Sequence, residues 1–182
     1  LTVKADYALQ GSSYIGGLVG RNSGFITNCG VSINVKSPYN IGGVVAQNYN
    51  KIAGCYFKEG KLINNSQFAQ YVGGFAVSNS LDSQIMTSYV AGVQSNANLY
   101  SQDSNSYITS TIAAAGFIYE NLGNINDCYS DIDLSKTTSE MAGFVYKNSG
   151  QVKNSFSLSK LRNNTTASAG FVKENTSLNA SA

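Results

Sequence analysis

Few residues in this chain are of the types that do chemistry. Cysteine occurs at Cys29, Cys55 and Cys128, aspartates line up as Asp127, Asp131 and Asp133, and histidine is absent. Three thiols raise the question of a redox pair or a zinc site, and a row of carboxylates raises that of calcium. The cysteines lack the short paired spacings of zinc ligands, and their odd number leaves one outside any disulfide framework. Calcium takes six to eight oxygens, more than one strand face supplies, and Lys153 and Lys160 are expected to pair with the aspartates instead. Without histidine the commonest general base and zinc ligand is missing, and a His-Glu-x-x-His site cannot form. A polysaccharide-cleaving β-helix would gather acids and bases on one outer face. Here the carboxylates are scattered, and the two arginines, Arg21 and Arg162, are far apart. The sequence therefore implies no catalytic residues, no cofactor and no metal.

What does recur is a frame. "YIGGLVGRNSGFITNCG" (14–30) is followed by "NIGGVVAQNYNKIAGCYF" (40–57), "YVGGFAVSNS" (71–80), "AAAGFIYENLGNINDCYS" (113–130), "EMAGFVYKNSGQVKNSFS" (140–157) and "SAGFVKENTS" (168–177). The copies align on Gly17, Gly43, Gly74, Gly116, Gly143 and Gly170. Five residues after each anchor stands an asparagine: Asn22, Asn48, Asn79, Asn121, Asn148 and Asn175. A small residue precedes each anchor and an apolar pair follows it. Nine positions on come Ile26, Ile52, Ile125 and Val152, and twelve on come Cys29, Cys55, Cys128 and Ser155. Two inserted residues bring Ile85 and Ser88 of the third copy into these columns. The cysteines thus read as small buried residues interchangeable with serine. The next column is aromatic: Tyr56, Tyr89, Tyr129 and Phe156, with Gly30 the exception.

These residues resemble the GLUG motif, over about residues 12–182. Copies one, four and five match best. Copy three lacks the glycine two after its asparagine, and copy six stops early. The resemblance implies a repeat region of a secreted or surface-attached bacterial protein, such as a large adhesin or the N-terminal region of a zinc metalloprotease that cleaves immunoglobulin A.

A unit of 26–27 residues is too short for a domain and suits one coil of a solenoid. Its short apolar runs, bounded by Gly, Asn and Ser, predict strands rather than helices. In "CGVSINV" Cys29, Val31, Ile33 and Val35 face in, and in the fourth copy Cys128, Ile132 and Leu134 face in while Asp127, Tyr129, Asp131 and Asp133 face out. The expected fold is all-β: a right-handed parallel β-helix of about six coils, some 29 Å long at about 4.8 Å per coil. The copies lie near 14–39, 40–70, 71–112, 113–139, 140–166 and 167–182, within a single solenoid segment of a larger protein. Anchor glycines are expected where the chain turns with positive φ or where backbones approach closely. The six asparagines are expected to form a ladder, each amide bonding its own turn and the asparagine of the next coil.

Departures from the frame are where binding is sought. The 42-residue step from Gly74 to Gly116 holds about 15 extra residues, placed at 94–109, whose Tyr100 and Tyr107 are candidates for gripping a partner. A smaller loop is expected at 58–68. The outward aromatics form a stripe that would be adhesive if exposed. "NNS" (64–66) and "NNTT" (163–166) are formal glycosylation acceptors. Only 12% of residues are charged and the net charge is +2, which gives no basic footprint for nucleic acid. No apolar run has the roughly 20 residues of a membrane span. Together these features predict a non-catalytic, extracellular or cell-surface segment that spaces neighbouring domains and takes host protein or glycan as partner.

Overall fold

A computed structural model of the chain describes residues 2–8, 14–65, 70–92, 106–110, 112–137, 140–161 and 167–176. Every paired strand among them is parallel, there is no helix, and the strands fall into four sheets. Sheet I stacks Tyr14–Gly16, Asn40–Gly42, Tyr71–Gly73, Ala113–Ala115, Glu140–Ala142 and Ser168–Ala169. Sheet II stacks Val19–Asn22, Val45–Asn48, Ala76–Asn79, Ile118–Asn121, Val145–Asn148 and Val172–Asn175. Sheet III takes Phe25–Thr27, Lys51–Ala53, Gln84–Met86, Asn124–Asn126 and Gln151–Lys153. Sheet IV is broader and begins with Thr2–Ala8, which pairs with Gly30–Ser37 and lies ahead of the first copy. The chain visits sheets I to IV in turn and starts again one rung on, which is a parallel β-helix.

Parallel in-register pairing puts each sequence column on a line along the solenoid. Inside run Ile26, Ile52, Ile85, Ile125 and Val152, with Ile85 opposite both Ile52 and Ile125. Beside them Phe75, Phe117, Phe144 and Phe171 stack with ring centroids 4.7–4.8 Å apart. Each such aromatic pair contributes about 0.5–1.5 kcal/mol beyond simple burial.

The corner between sheets I and II explains the glycine. Leu18 and Val19 both donate their N–H groups to the Val44 carbonyl, Val44 and Val45 to that of Phe75, and Phe117 and Ile118 to that of Phe144. Two donors converging on one acceptor draw successive corners together. A Cβ on Gly17, Gly43, Gly74, Gly116 or Gly143 would lie only 1.9–2.1 Å from the carbonyl oxygen of the next anchor glycine. None of these glycines has positive φ, so of the two roles expected for them, close approach is the one they fill.

Positive φ is found at another corner. Asn28, Gly54, Thr87, Asp127 and Asn154, each immediately before the cysteine/serine column, have φ of 47–64°. Asn, Asp and Gly tolerate this left-handed conformation. Thr87 is β-branched and takes it at a cost of about 1–2 kcal/mol.

Insertions enter sheet IV without disturbing the rungs around them. Four steps separate Val31 from Val35, five separate Phe57 from Leu62, and eighteen separate Val90 from Ile108, although these residues share two inward columns. The extra residue of the second copy sits at Glu59–Gly60, where Glu59 has φ 64°. In the third copy the surplus lies between Gly92 and Ser106, outside the described residues. The expected loop at 94–109 is therefore corrected at its end: Tyr107–Thr109 is a rung strand paired with Lys61–Ile63, and Ile108 is fully buried. The smaller loop is corrected likewise, since Lys61–Asn64 is strand.

The anchor contact yields a test. Gly116→Val places a side chain on the Gly143 carbonyl and is expected to cost about 3 kcal/mol or more. Gly24→Ala, where an added Cβ meets nothing within 4 Å, is expected to stay within about 0.5 kcal/mol of the parent. Denaturant unfolding followed by circular dichroism compares the two.

Candidate functional site

The six asparagines end the strands of sheet II, where the chain turns toward sheet III. Asn22 Nδ2 donates to Asn48 Oδ1, Asn48 to Asn79, Asn79 to Asn121, Asn121 to Asn148 and Asn148 to Asn175, each at 2.8 Å. The second amide hydrogen of Asn48, Asn121 and Asn148 reaches the carbonyl two residues on, in the asparagine's own turn. Asn79 stands above the two-residue insertion, and its Oδ1 takes a bond from Ser83 Oγ instead. Asn48, Asn79 and Asn121 are fully buried. These amides therefore have their hydrogen-bonding capacity engaged within the frame.

The cysteine column is used in the same way. Cys29 N–H donates to Cys55 Sγ, Cys55 N–H to Ser88 Oγ and Cys128 N–H to Ser155 Oγ. Each side chain in turn donates to the carbonyl two residues before it: Thr27, Ala53, Met86, Asn126 and Lys153. Sulfur and hydroxyl oxygen make the same pair of contacts. All three thiols are free. Burial pushes the Cys128 thiol up to about 12 and also raises that of Cys55, so both stay protonated at neutral pH and are poor nucleophiles. Among the described residues no three Cys, Asp or Glu side chains come together to hold a metal ion.

The outer face of sheet IV carries the outward residues. Tyr56, Tyr89, Tyr129 and Phe156 stack with centroids 4.9–5.2 Å apart and planes within 8°. Both ring faces of Tyr89 and Tyr129 are thus covered by neighbours, and the stripe turns its edges outward. Gly30 continues the column because Tyr56 lies across it: a Cβ there would meet Tyr56 Cζ at 2.3 Å. Next along the face, Tyr107 is half-buried, with Lys136 Nζ 3.9 Å and Lys61 Nζ 5.6 Å from its ring centroid. Tyr100, the other candidate tyrosine, lies outside the described residues. Asp133, expected to face solvent, is buried, its Oδ1 taken by Ser135 N–H and Oγ. Asn64, the acceptor residue of "NNS", is also buried and donates to the Tyr39 carbonyl, which leaves it closed to a glycan-attaching enzyme.

A second cluster was not anticipated from the sequence. Tyr71, Tyr119 and Tyr146 stack outside the corner of sheets I and II, over Ala113, Ala115 and Ala142. Lys173 closes this stack. It donates to Glu140 Oε2 at 2.8 Å and to Tyr146 Oη at 3.0 Å, and Tyr146 Oη donates to Glu140 Oε2. The bond from Lys173 holds Glu140 below the usual carboxylate range, and burial pushes the Tyr119 phenol upward. The signal was the column three after the anchor, which runs Gly20, Ala46, Val77, Tyr119, Tyr146, Lys173.

Two outcomes follow. Asn121→Ala strands the Asn79 donor and the Asn148 acceptor in a buried line and is expected to cost about 3 kcal/mol. Asn175→Ala, at the exposed end of the line, is expected to cost less than about 1 kcal/mol. Chemical denaturation measures both. Timed maleimide labelling of the native protein at neutral pH is expected to modify half-exposed Cys29 while Cys55 and Cys128 react only on unfolding, as mass spectrometry of the labelled peptides will show.

No curated protein and no solved structure matches the chain. The family model of the GLUG motif matches residues 11–36, the first copy of the repeat.

Proposed function

We propose that this chain is a non-catalytic segment of a secreted or cell-surface bacterial protein, a stiff spacer that holds neighbouring domains apart and offers its broad outer face to a host protein or glycan. The observation that carries this reading is where the reactive side chains are spent. Asparagine amides bond one another, and the thiols are held in coil-to-coil contacts. Lys173, Glu140 and Tyr146 bond among themselves. These are the groups that an active site would need free and convergent. Stacking each rung on the next through four sheets also gives the stiffness a spacer requires.

Immobilised glycans and extracellular-matrix proteins, probed with the purified chain, test the binding half of the reading. Small-angle X-ray scattering tests the spacer half. Saturable retention of a glycan or matrix protein, without chemical change in it, and a rod-like scattering profile are expected. Release of cleaved product from any of these ligands, or a collapsed flexible profile, overturns the reading.

A further inference from the structure

We infer that the lysines gathered around Tyr107 on the outer face of sheet IV form a site for an acidic glycan, a linear polymer of sugars carrying sulfate or carboxylate groups. This rests on the reading of that face as a binding surface and names the ligand it takes.

The residues come from distant parts of the sequence. Lys61 is in register with Tyr107, and Lys36 pairs with Ile63 two residues further along the face. Lys58 lies on the other side of the Glu59–Gly60 bulge, and Lys136 approaches from the following rung, where its carbonyl accepts from Thr109 Oγ1. Alternation turns Lys36, Lys58, Lys61 and Tyr107 away from the buried Val35, Phe57, Leu62 and Ile108. Lys36, Lys58 and Lys136 are exposed. Two ammonium groups share the Tyr107 ring. The ring attracts each of them, but the pair repel one another, and an anion set between them removes that repulsion. Among the described residues, the carboxylates at register positions on this part of the face are Glu59 in the bulge, half-exposed Asp131, Asp133, whose Oδ1 is already engaged by Ser135, and Asp6, which stands in register with Asn34 one strand beyond Lys61.

The face narrows the class of anion. No arginine lies on its described part, so a ligand meets the point charges of lysine rather than the planar fork that grips carboxylate or phosphate at two oxygens. Sulfate or carboxylate groups recurring along a sugar chain suit such separated charges, and titration with single-stranded DNA distinguishes them from a phosphate polymer. An acidic peptide would dock most readily on a free strand edge, whereas Lys61–Asn64 and Tyr56–Lys58 have a strand on each side and Tyr107–Thr109, at the end of its row, is bridged at Tyr107 to Asp133. A glycan laid across this face meets the lysines and the Tyr107 ring and then the edges of Tyr56, Tyr89 and Tyr129, which repeat at the rung spacing.

The full chain is titrated by calorimetry with a sulfated heparin oligosaccharide, a uronate oligosaccharide, a neutral cello-oligosaccharide, polyglutamate and single-stranded DNA. Binding of one or both acidic oligosaccharides, weakened by added salt, is expected. The double variant Lys61→Gln/Lys136→Gln is expected to lower that affinity by about tenfold, and Tyr107→Phe to retain it. The control pair Lys51→Gln/Lys147→Gln, on sheets III and II, keeps the net charge of the double variant and is expected to bind like the parent. Circular dichroism verifies that each variant is folded. The inference is overturned if neither acidic oligosaccharide binds, if the control pair loses as much affinity, or if polyglutamate or DNA binds equally well. Retention of a neutral glycan or a matrix protein alone sinks this inference and leaves the proposed function standing. Failure of every ligand counts against both.

Discussion

At each corner between sheets I and II a carbonyl oxygen occupies the place that a side chain would need. The oxygen belongs to the next anchor glycine, and the same contact repeats from Gly17 to Gly143. It brings successive corners close enough for one carbonyl to accept two backbone N–H groups. That convergence sets the phase of each coil against the next. Once the phase is set, every side-chain column becomes a continuous line, and the phenylalanine stack, the asparagine line and the cysteine/serine column all follow. A slip of one residue in any rung would turn its buried residues outward.

Because like stacks on like, one residue type performs one task many times, and substitutions within a column show what that task is. Serine replaces cysteine at Ser88 and Ser155 because the column needs a small group that accepts from one coil and donates within its own turn. Glycine replaces an aromatic at Gly30 because the Tyr56 ring covers that place. Tyrosine replaces valine and alanine in the column of Tyr119 and Tyr146, and the extra bulk builds a second packed cluster on the outside of a corner. Polar groups buried along these lines are satisfied by their own repeats, which is how a chain with so few charges buries so many amides and hydroxyls.

The columns were legible in the sequence because they are spaced by whole repeats. The fold class follows from them, and so does the two-residue shift that sets Ile85 against Ile52 and Ile125. The left-handed corner was less legible. Asn28, Gly54, Asp127 and Asn154 are residues suited to it, but Thr87 interrupts the column with a side chain that disfavours it. The Tyr107–Thr109 strand was missed because counting from anchor to anchor gives the number of surplus residues and not their place. Only the pairing with Lys61–Ile63 separates the rung from the insertion. The company kept by Tyr107 was also hidden, since Lys61 and Lys136 lie in different copies and outside the repeating columns.

Sheet IV contains one more consequence. The Gly30–Ser37 strand is continuous in the first copy, interrupted by a single extra residue in the second, and parted by thirteen more in the third, yet Val90 and Ile108 still meet Phe57 and Leu62. Rungs on either side fix the two flanks independently, so the junction bears no load from what joins them. The scaffold therefore tolerates added length at this junction: the flanking rungs keep one register whether one residue or fourteen are added to the basic four-step span.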